Sequence, residues 1–162
     1  MVQGRSGPEP SDYQPNAPAG DFYDPNPSAD AFPEPNTPVG DVYEWFQRGV
    51  KLLKDGSPAA AAAILARAAD AEPDSRSIRE ALARAQFNSR RYEDAADSFR
   101  WIVSANPTED YAYFGLGMAL WRTGDMKAAQ EHLAMAVAMR PDLRDYVSAL
   151  KQVRATLRAR QA

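Results

Sequence analysis

The chain has 162 residues, no cysteine and a single histidine, His132. The lack of cysteine excludes disulfides, thiolate metal sites and a cysteine nucleophile. The single histidine rules out a histidine metal cluster and leaves little for a catalytic triad. The first twelve residues lack an apolar core, and no run approaches the roughly 18 apolar residues of a membrane span. We therefore expect a non-enzymatic, cytoplasmic protein without metal, cofactor or membrane contact.

The net charge of −3 is distributed unevenly along the chain. Residues 1–41, which we call the acidic arm, carry seven acidic side chains, one basic side chain and nine of the thirteen prolines. Residues 42–162 carry 15 acidic and 18 basic side chains. The arm is predicted to be disordered, because its few apolar side chains bury too little surface to offset chain entropy.

The acidic arm contains a repeat of its own. Residues 14–23, QPNAPAGDFY, return as residues 34–43, EPNTPVGDVY, and residues 24–33 form a degenerate copy between them. Aromatic side chains recur with the copies, at Tyr13, Phe22, Tyr23 and Phe32. A plain spacer does not need regular aromatics, which favours docking of the arm on its own domain or weak self-association between chains. Drifting low-complexity sequence is the other explanation.

After the arm, residues recur at a spacing of 34, which we call the repeat step. The columns are Gly49, Ala83 and Gly117; Ala61, Ala95 and Ala129; and Pro73, Pro107 and Pro141. They define three windows without insertions, residues 42–75, 76–109 and 110–143. Each window has the apolar periodicity of two helices, and its proline marks the end of the second, because proline cannot continue a helix.

Residues 144–162 are predicted to form a seventh helix that caps the repeats. Such a helix needs one apolar face and one exposed polar face, and the basic side chains lie on the latter: Lys151, Arg154, Arg158 and Arg160. A basic stripe of this kind can also neutralise phosphates, which leaves an RNA- or ribosome-associated factor as the alternative function. The acidic isoelectric point of about 5.2 and the absence of aromatics between the arginines disfavour nucleic acid.

This pattern resembles the tetratricopeptide repeat family, in which W-x2-L-G-x2-Y, A-x3-F and P recur with the same period. The third window matches with Tyr113, Leu116, Gly117, Leu120, Ala129, Leu133 and Pro141. The first window departs at Arg48, and the second has Arg79 and Gln86 at the aromatic places. The resemblance implies an all-α, right-handed superhelix of three helix-turn-helix repeats and a capping helix. The arginine-rich composition is also similar to that of small actinobacterial members.

The resemblance further implies a peptide-binding groove on the inner side of each repeat's first helix. Projection of the windows places nine residues there: Phe46, Val50, Arg84, Phe87, Phe114, Gly115, Met118, Trp121 and Arg122. Members that grip a C-terminal carboxylate have lysine and asparagine where this chain has Phe46 and Val50, so that clamp is absent. The predicted ligand is an apolar or amphipathic peptide or helix of a partner protein with some acidic character. Filling of the superhelix by these side chains is the other interpretation.

Two glycines interrupt the helix predicted around residues 113–121, YFGLGMALW, and each costs roughly 1 kcal/mol relative to alanine. Gly117 belongs to a column of small residues that faces the alanine column of Ala129 and allows the paired helices to approach closely. Gly115 has no such role. It is predicted to leave a notch for a large apolar residue of a partner, or for a neighbouring helix such as the capping helix through Tyr146.

Overall fold

The computed structural model describes residues 41–162. Seven α-helices occur in this part of the chain: α1 (Asp41–Lys54), α2 (Pro58–Ala71), α3 (Arg76–Asn88), α4 (Tyr92–Ala105), α5 (Asp110–Thr123), α6 (Met126–Met139) and α7 (Arg144–Gln161). The predicted all-α fold is confirmed for these residues. The predicted disorder of the acidic arm lies outside them, apart from Asp41, which already belongs to α1.

The helices pack as three pairs, α1 with α2, α3 with α4 and α5 with α6, and each pair packs on the next. The seventh helix, α7, packs on α6. Contacts beyond neighbours in the chain join first helices, α1 with α3, and join α5 with α7. The first helices therefore lie on the inner, concave side of the stack.

The turn inside each repeat uses a left-handed residue at the same place. Gly56, Arg90 and Gly124 are related by the repeat step, and their φ angles are 77°, 66° and 95°. The residue that follows donates its N–H back into the first helix, as from Asp125 to the carbonyl of Leu120 at 3.0 Å. A β-carbon raises the energy of this conformation by about 1–2 kcal/mol, so repeat two holds a strained turn at Arg90.

Close packing inside a repeat depends on the glycines of the first helix. A β-carbon at Gly117 would lie 2.7 Å from Cγ of Leu133 and 3.2 Å from the carbonyl oxygen of Ala129. A β-carbon at Gly49 would overlap Leu65 in the same way. The structure thus shows the close approach that the small-residue columns predict, but the side chain that needs the space is the leucine four residues after the alanine.

Candidate functional site

Seven of the nine residues predicted to line the groove, all but Gly115 and Arg122, fall in three rows along the concave side, which also contain Leu53 and Glu80. The repeat step connects α1, α3 and α5 in three rows: Phe46, Glu80 and Phe114; Val50, Arg84 and Met118; Leu53, Phe87 and Trp121. The same step from Met118 reaches Gln152 on α7. Gln152 is thus a further member of the middle row, which the projection of three windows missed and the repeat step alone could have found.

Five of the nine predicted residues are buried, namely Phe46, Phe87, Phe114, Gly115 and Met118. Met118 is completely covered and belongs to the core that extends from α3 to α7. The other four are half-buried, and we call them the concave rim: Val50, Arg84, Trp121 and Arg122. The five buried residues act as core, so of the nine only the four rim residues present side-chain surface.

Phe114 supports the capping helix. Its ring stacks on the ring of Tyr146 with centroids 4.4 Å apart and planes inclined by 19°. Tyr146 is buried, and its hydroxyl donates a hydrogen bond of 2.9 Å to Oδ2 of Asp110 at the start of α5. This pair of contacts fixes the N-terminal half of α7 against repeat three.

Gly115 does not open a notch toward the concave side. A β-carbon there would overlap the ring of Phe99, which reaches across from α4. Phe99 is completely buried and also meets Tyr111 edge-to-face, with centroids 6.1 Å apart. A neighbouring helix therefore fills the space, as the second interpretation predicted, but it is α4 of the preceding repeat through Phe99 and not the capping helix through Tyr146. A partner residue as the occupant is wrong.

The middle row carries two polar groups that lack internal partners. Nε of Arg84 and Oε1 of Gln152 are buried, and neither has a hydrogen-bond partner within residues 41–162. Buried polar groups are hydrogen-bonded in the large majority of cases, and each exception calls for an explanation. Arg122, at the end of α5, lies over the ring of Tyr92 at 5.9 Å. The rim therefore combines guanidinium groups with the apolar surfaces of Val50 and Trp121.

The part of the chain that the structure describes holds no group of three histidine, aspartate or glutamate side chains able to bind a metal ion. None of its helices has the length and apolar character needed to cross a membrane. His132 is half-buried beside the ring of Tyr113. Burial lowers the pKa of His132, and the charge of Arg100 lowers it further.

The family profile of the tetratricopeptide repeat matches residues 46–109 and 80–144, which together make up more than half of the chain. The chain belongs to the tetratricopeptide repeat family. Tetratricopeptide repeats are scaffolds for protein–protein interaction. The matched residues include all four residues of the concave rim.

Solved structures of other tetratricopeptide repeat domains have the same fold. The first TPR domain of RPAP3 (Spaghetti), bound to an HSP90 peptide, is 19% identical with a TM-score of 0.67, and the match covers 72% of this chain and 92% of that one. The second TPR domain of human RPAP3, in complex with an HSP70 peptide, is 18% identical with a TM-score of 0.64, over 68% and 92% of the two chains.

The TPR domain of Sgt2 from Aspergillus fumigatus is 17% identical with a TM-score of 0.68, over 81% of this chain and 89% of that one. At these identities the likeness shows the fold alone. A comparison with curated protein sequences finds no match.

Proposed function

We propose that this chain is a non-catalytic adaptor or assembly factor that binds a peptide or helix of a partner protein along the concave rim. The observation that carries the proposal is Arg84, a half-buried cation whose Nε has no hydrogen-bond partner within residues 41–162. On the concave side, Arg84 lies between Val50 of the preceding repeat and Met118 of the following one. A carboxylate or carbonyl oxygen of a ligand would accept hydrogen bonds from the part of the Arg84 guanidinium that is not buried.

The two RPAP3 domains with the same fold bind peptides of HSP90 and HSP70, which supports a peptide as the class of ligand. The chemistry of this rim differs from a carboxylate clamp, because Phe46 is buried and Val50 is apolar. The ligand is therefore expected to offer an internal acidic residue flanked by apolar side chains. Val50 and Trp121 would pack against those apolar groups, and burial of their exposed surface would supply most of the affinity.

A photo-crosslinking amino acid at position 50 tests the proposal in the native cell. The matched control carries the same amino acid at Met135, which is exposed on the second helix α6. We expect a discrete crosslinked product from position 50 alone, and its loss when Arg84→Glu is added. Identical products from both positions, or a product that persists in the Arg84→Glu variant, would refute the concave rim as the binding surface.

The alternative function, RNA or ribosome association, has one structural observation in its favour. Lys151, Arg154 and Arg158 are exposed along one side of α7, while Leu150 and Val153 are buried on the other. If this face binds phosphates, affinity for RNA will fall steeply with salt. Arg154→Glu with Arg158→Glu would then abolish RNA binding and leave the product at position 50 unchanged, so the two functions are separable.

A further inference from the structure

The two clear copies of the arm repeat have different surroundings. The second copy, residues 34–43, runs into the fold, because Asp41 begins α1 and Val42 is half-buried against the core of α1, α2 and α3. Tyr43 is 41% exposed at the start of that helix. The first copy, residues 14–23, ends in the matching group Asp21, Phe22 and Tyr23, but the degenerate copy follows it instead of a repeat. In the sequence, no window of the repeat begins directly after this first copy.

The concave rim is complementary to this group in charge and polarity. Arg84 supplies a half-buried cation, and Val50 and Trp121 supply half-buried apolar surface on either side of it along the stack. The charge distribution along the whole chain also favours this contact, because the arm is acidic and residues 42–162 have an excess of basic side chains. Arg84 with Val50 and Trp121 thus matches an aspartate followed by two aromatic residues.

The arm is long enough to reach the concave rim from its point of attachment. The arm joins the fold at Asp41, and α1 contributes the first rim residue, Val50. Twenty residues separate Asp21 from Asp41, and a chain of that length can span up to about 66 Å. Packed helices are about 8–10 Å apart, so the rim on α1, α3 and α5 is within reach. Tethering raises the effective concentration of such a segment to the millimolar range.

We propose that residues 14–23 dock on the concave rim of their own chain, with the carboxylate of Asp21 on the guanidinium of Arg84. Phe22 and Tyr23 then pack against Val50 and Trp121. This inference rests on the rim being the binding surface proposed above, and it adds a regulatory function. A partner of the same acidic and aromatic chemistry has to displace the arm, so the arm sets the affinity threshold for binding.

A spin label on the full chain tests this docking directly. The chain has no cysteine, so Ala19→Cys creates a unique labelling site two residues before Asp21. We expect loss of signal intensity at the amides of Val50 and Arg84 and at the indole of Trp121. The indole of Trp101 on α4 and the amide of Met135 on α6 serve as internal references and should keep their intensity.

Substitutions on each side of the contact make the test specific. Asp21→Asn changes only the arm and cannot unfold the repeats, and Arg84→Gln removes the opposing charge; either should restore the lost intensity. Asp12→Asn, an acidic residue of the arm outside the copy, is the matched control and should leave the intensity loss unchanged. Absence of any loss in the labelled chain, or a loss that survives Asp21→Asn, would overturn the proposal.

A mixed sample distinguishes docking between chains from docking within one chain. One population of chains is isotope-labelled and has no spin label, and the other has the spin label and natural isotope abundance. Intensity loss in the mixture equal to that in the single sample would overturn docking within one chain. The experiments test partner binding at the rim and docking of the arm separately. If no partner uses the rim, the loss within one chain persists and position 50 gives no crosslink to a second protein. If the arm does not dock, that product is unaffected by Asp21→Asn.

Discussion

Arg79 and Trp101 form a cation–π pair between α3 and α4, with the guanidinium carbon 5.1 Å from the ring centroid. Arg67 lies over Trp45 in repeat one at 4.5 Å. The repeat step leads from Trp45 to Arg79 and from Arg67 to Trp101, so repeat two contains the same pair with its two partners exchanged. The missing aromatic residue at Arg79 is thereby replaced from the opposite helix.

The exchanged pair predicts a rescue. Arg79→Ala and Trp101→Leu should each lower the free energy of unfolding, in part through loss of the cation–π contact, which contributes about 0.5–2 kcal/mol. The double variant Arg79→Trp with Trp101→Arg recreates the order of repeat one and should be more stable than the sum of its single changes implies. Urea denaturation of the parent chain, the single variants Arg79→Trp and Trp101→Arg, and the double variant gives the coupling energy.

Arg100→Ala is the matched control, because Arg100 is exposed and pairs with Asp97 at 2.8 Å. Exposed ion pairs contribute about 0–1 kcal/mol, so this change should have little effect. A coupling energy of zero between positions 79 and 101 would contradict the interpretation.

Phe99 and Gly115 compensate for each other in volume, because the large ring of Phe99 fills the space that the missing side chain of Gly115 leaves. The equivalent positions in the other repeats are Leu65 with Ala81 and Leu133 with Ala149. Gly115→Ala should therefore destabilise the domain by about 1–3 kcal/mol through overpacking, although alanine has the higher helix propensity. In the background of Phe99→Leu the same change should instead be stabilising. Thermal or urea unfolding measures both, and a stabilising Gly115→Ala in the unmodified chain would disprove the pairing.

Gln86 and Ser98 form a buried hydrogen bond between the two helices of repeat two. The hydroxyl of Ser98 donates to Oε1 of Gln86 at 2.7 Å, and both residues are buried. Ser98→Ala should cost about 1–3 kcal/mol, because it leaves a buried carbonyl oxygen without a donor. Gln86→Leu together with Ser98→Ala should recover most of that loss. Equal stability of Ser98→Ala and the parent chain would show that the bond contributes nothing.

Arg90 offers a route to a more stable domain. Its φ of 66° is strained for a residue with a β-carbon, whereas Gly56 and Gly124 occupy the same place in the other repeats without strain. Arg90→Gly should raise the free energy of unfolding by about 0.5–1 kcal/mol, once the greater freedom of glycine in the unfolded chain is subtracted. Gly124→Ala should instead lower the free energy of unfolding. A loss of stability in Arg90→Gly would mean that the arginine side chain contributes more than its backbone strain costs.

His132 makes the stability depend on pH near neutrality. Burial and the charge of Arg100 lower the pKa of His132 in the folded state, whereas the unfolded chain titrates at about pH 6.5. Below that pH the unfolded state binds a proton that the folded state resists, so stability is lost as the pH falls. Because His132 is the only histidine, His132→Gln should flatten the profile of unfolding free energy between pH 8 and 5.5. If the pH profile of the unfolding free energy is unchanged in His132→Gln, titratable groups other than His132 cause the pH dependence of stability.

The repeat step predicted the six helices of the three windows because its columns record backbone requirements that are local in sequence. Pro141 cannot continue a helix, and Gly117 is needed where Leu133 approaches. The pairings that compensate for Arg79 and Gln86 were not predictable in the same way. Their partners, Trp101 and Ser98, lie on the next helix and have no family column that marks them.

Burial on the concave side was also beyond the sequence pattern. Projection places Phe87 and Met118 on the inner side of α3 and α5. The packing of neighbouring helices then decides whether such a side chain is buried in the core or stays partly exposed in the concave rim. For Gly115, periodicity correctly indicated a space and could not identify its occupant, because Phe99 enters from the preceding repeat.

The pairing of Phe99 with Gly115 also bears on the order in which the repeats assemble. Repeats with interchangeable interfaces can join out of sequence and trap the chain during folding. Phe99 would overlap the β-carbon of Ala149 if repeat two met the capping helix, and Leu133 beside Gly115 would leave an empty space. Because the side-chain volumes differ between the interfaces, only the correct neighbouring repeat packs without overlap or an empty space. The double variant Phe99→Leu with Gly115→Ala should therefore be as stable as the parent chain but refold with more misassembled species.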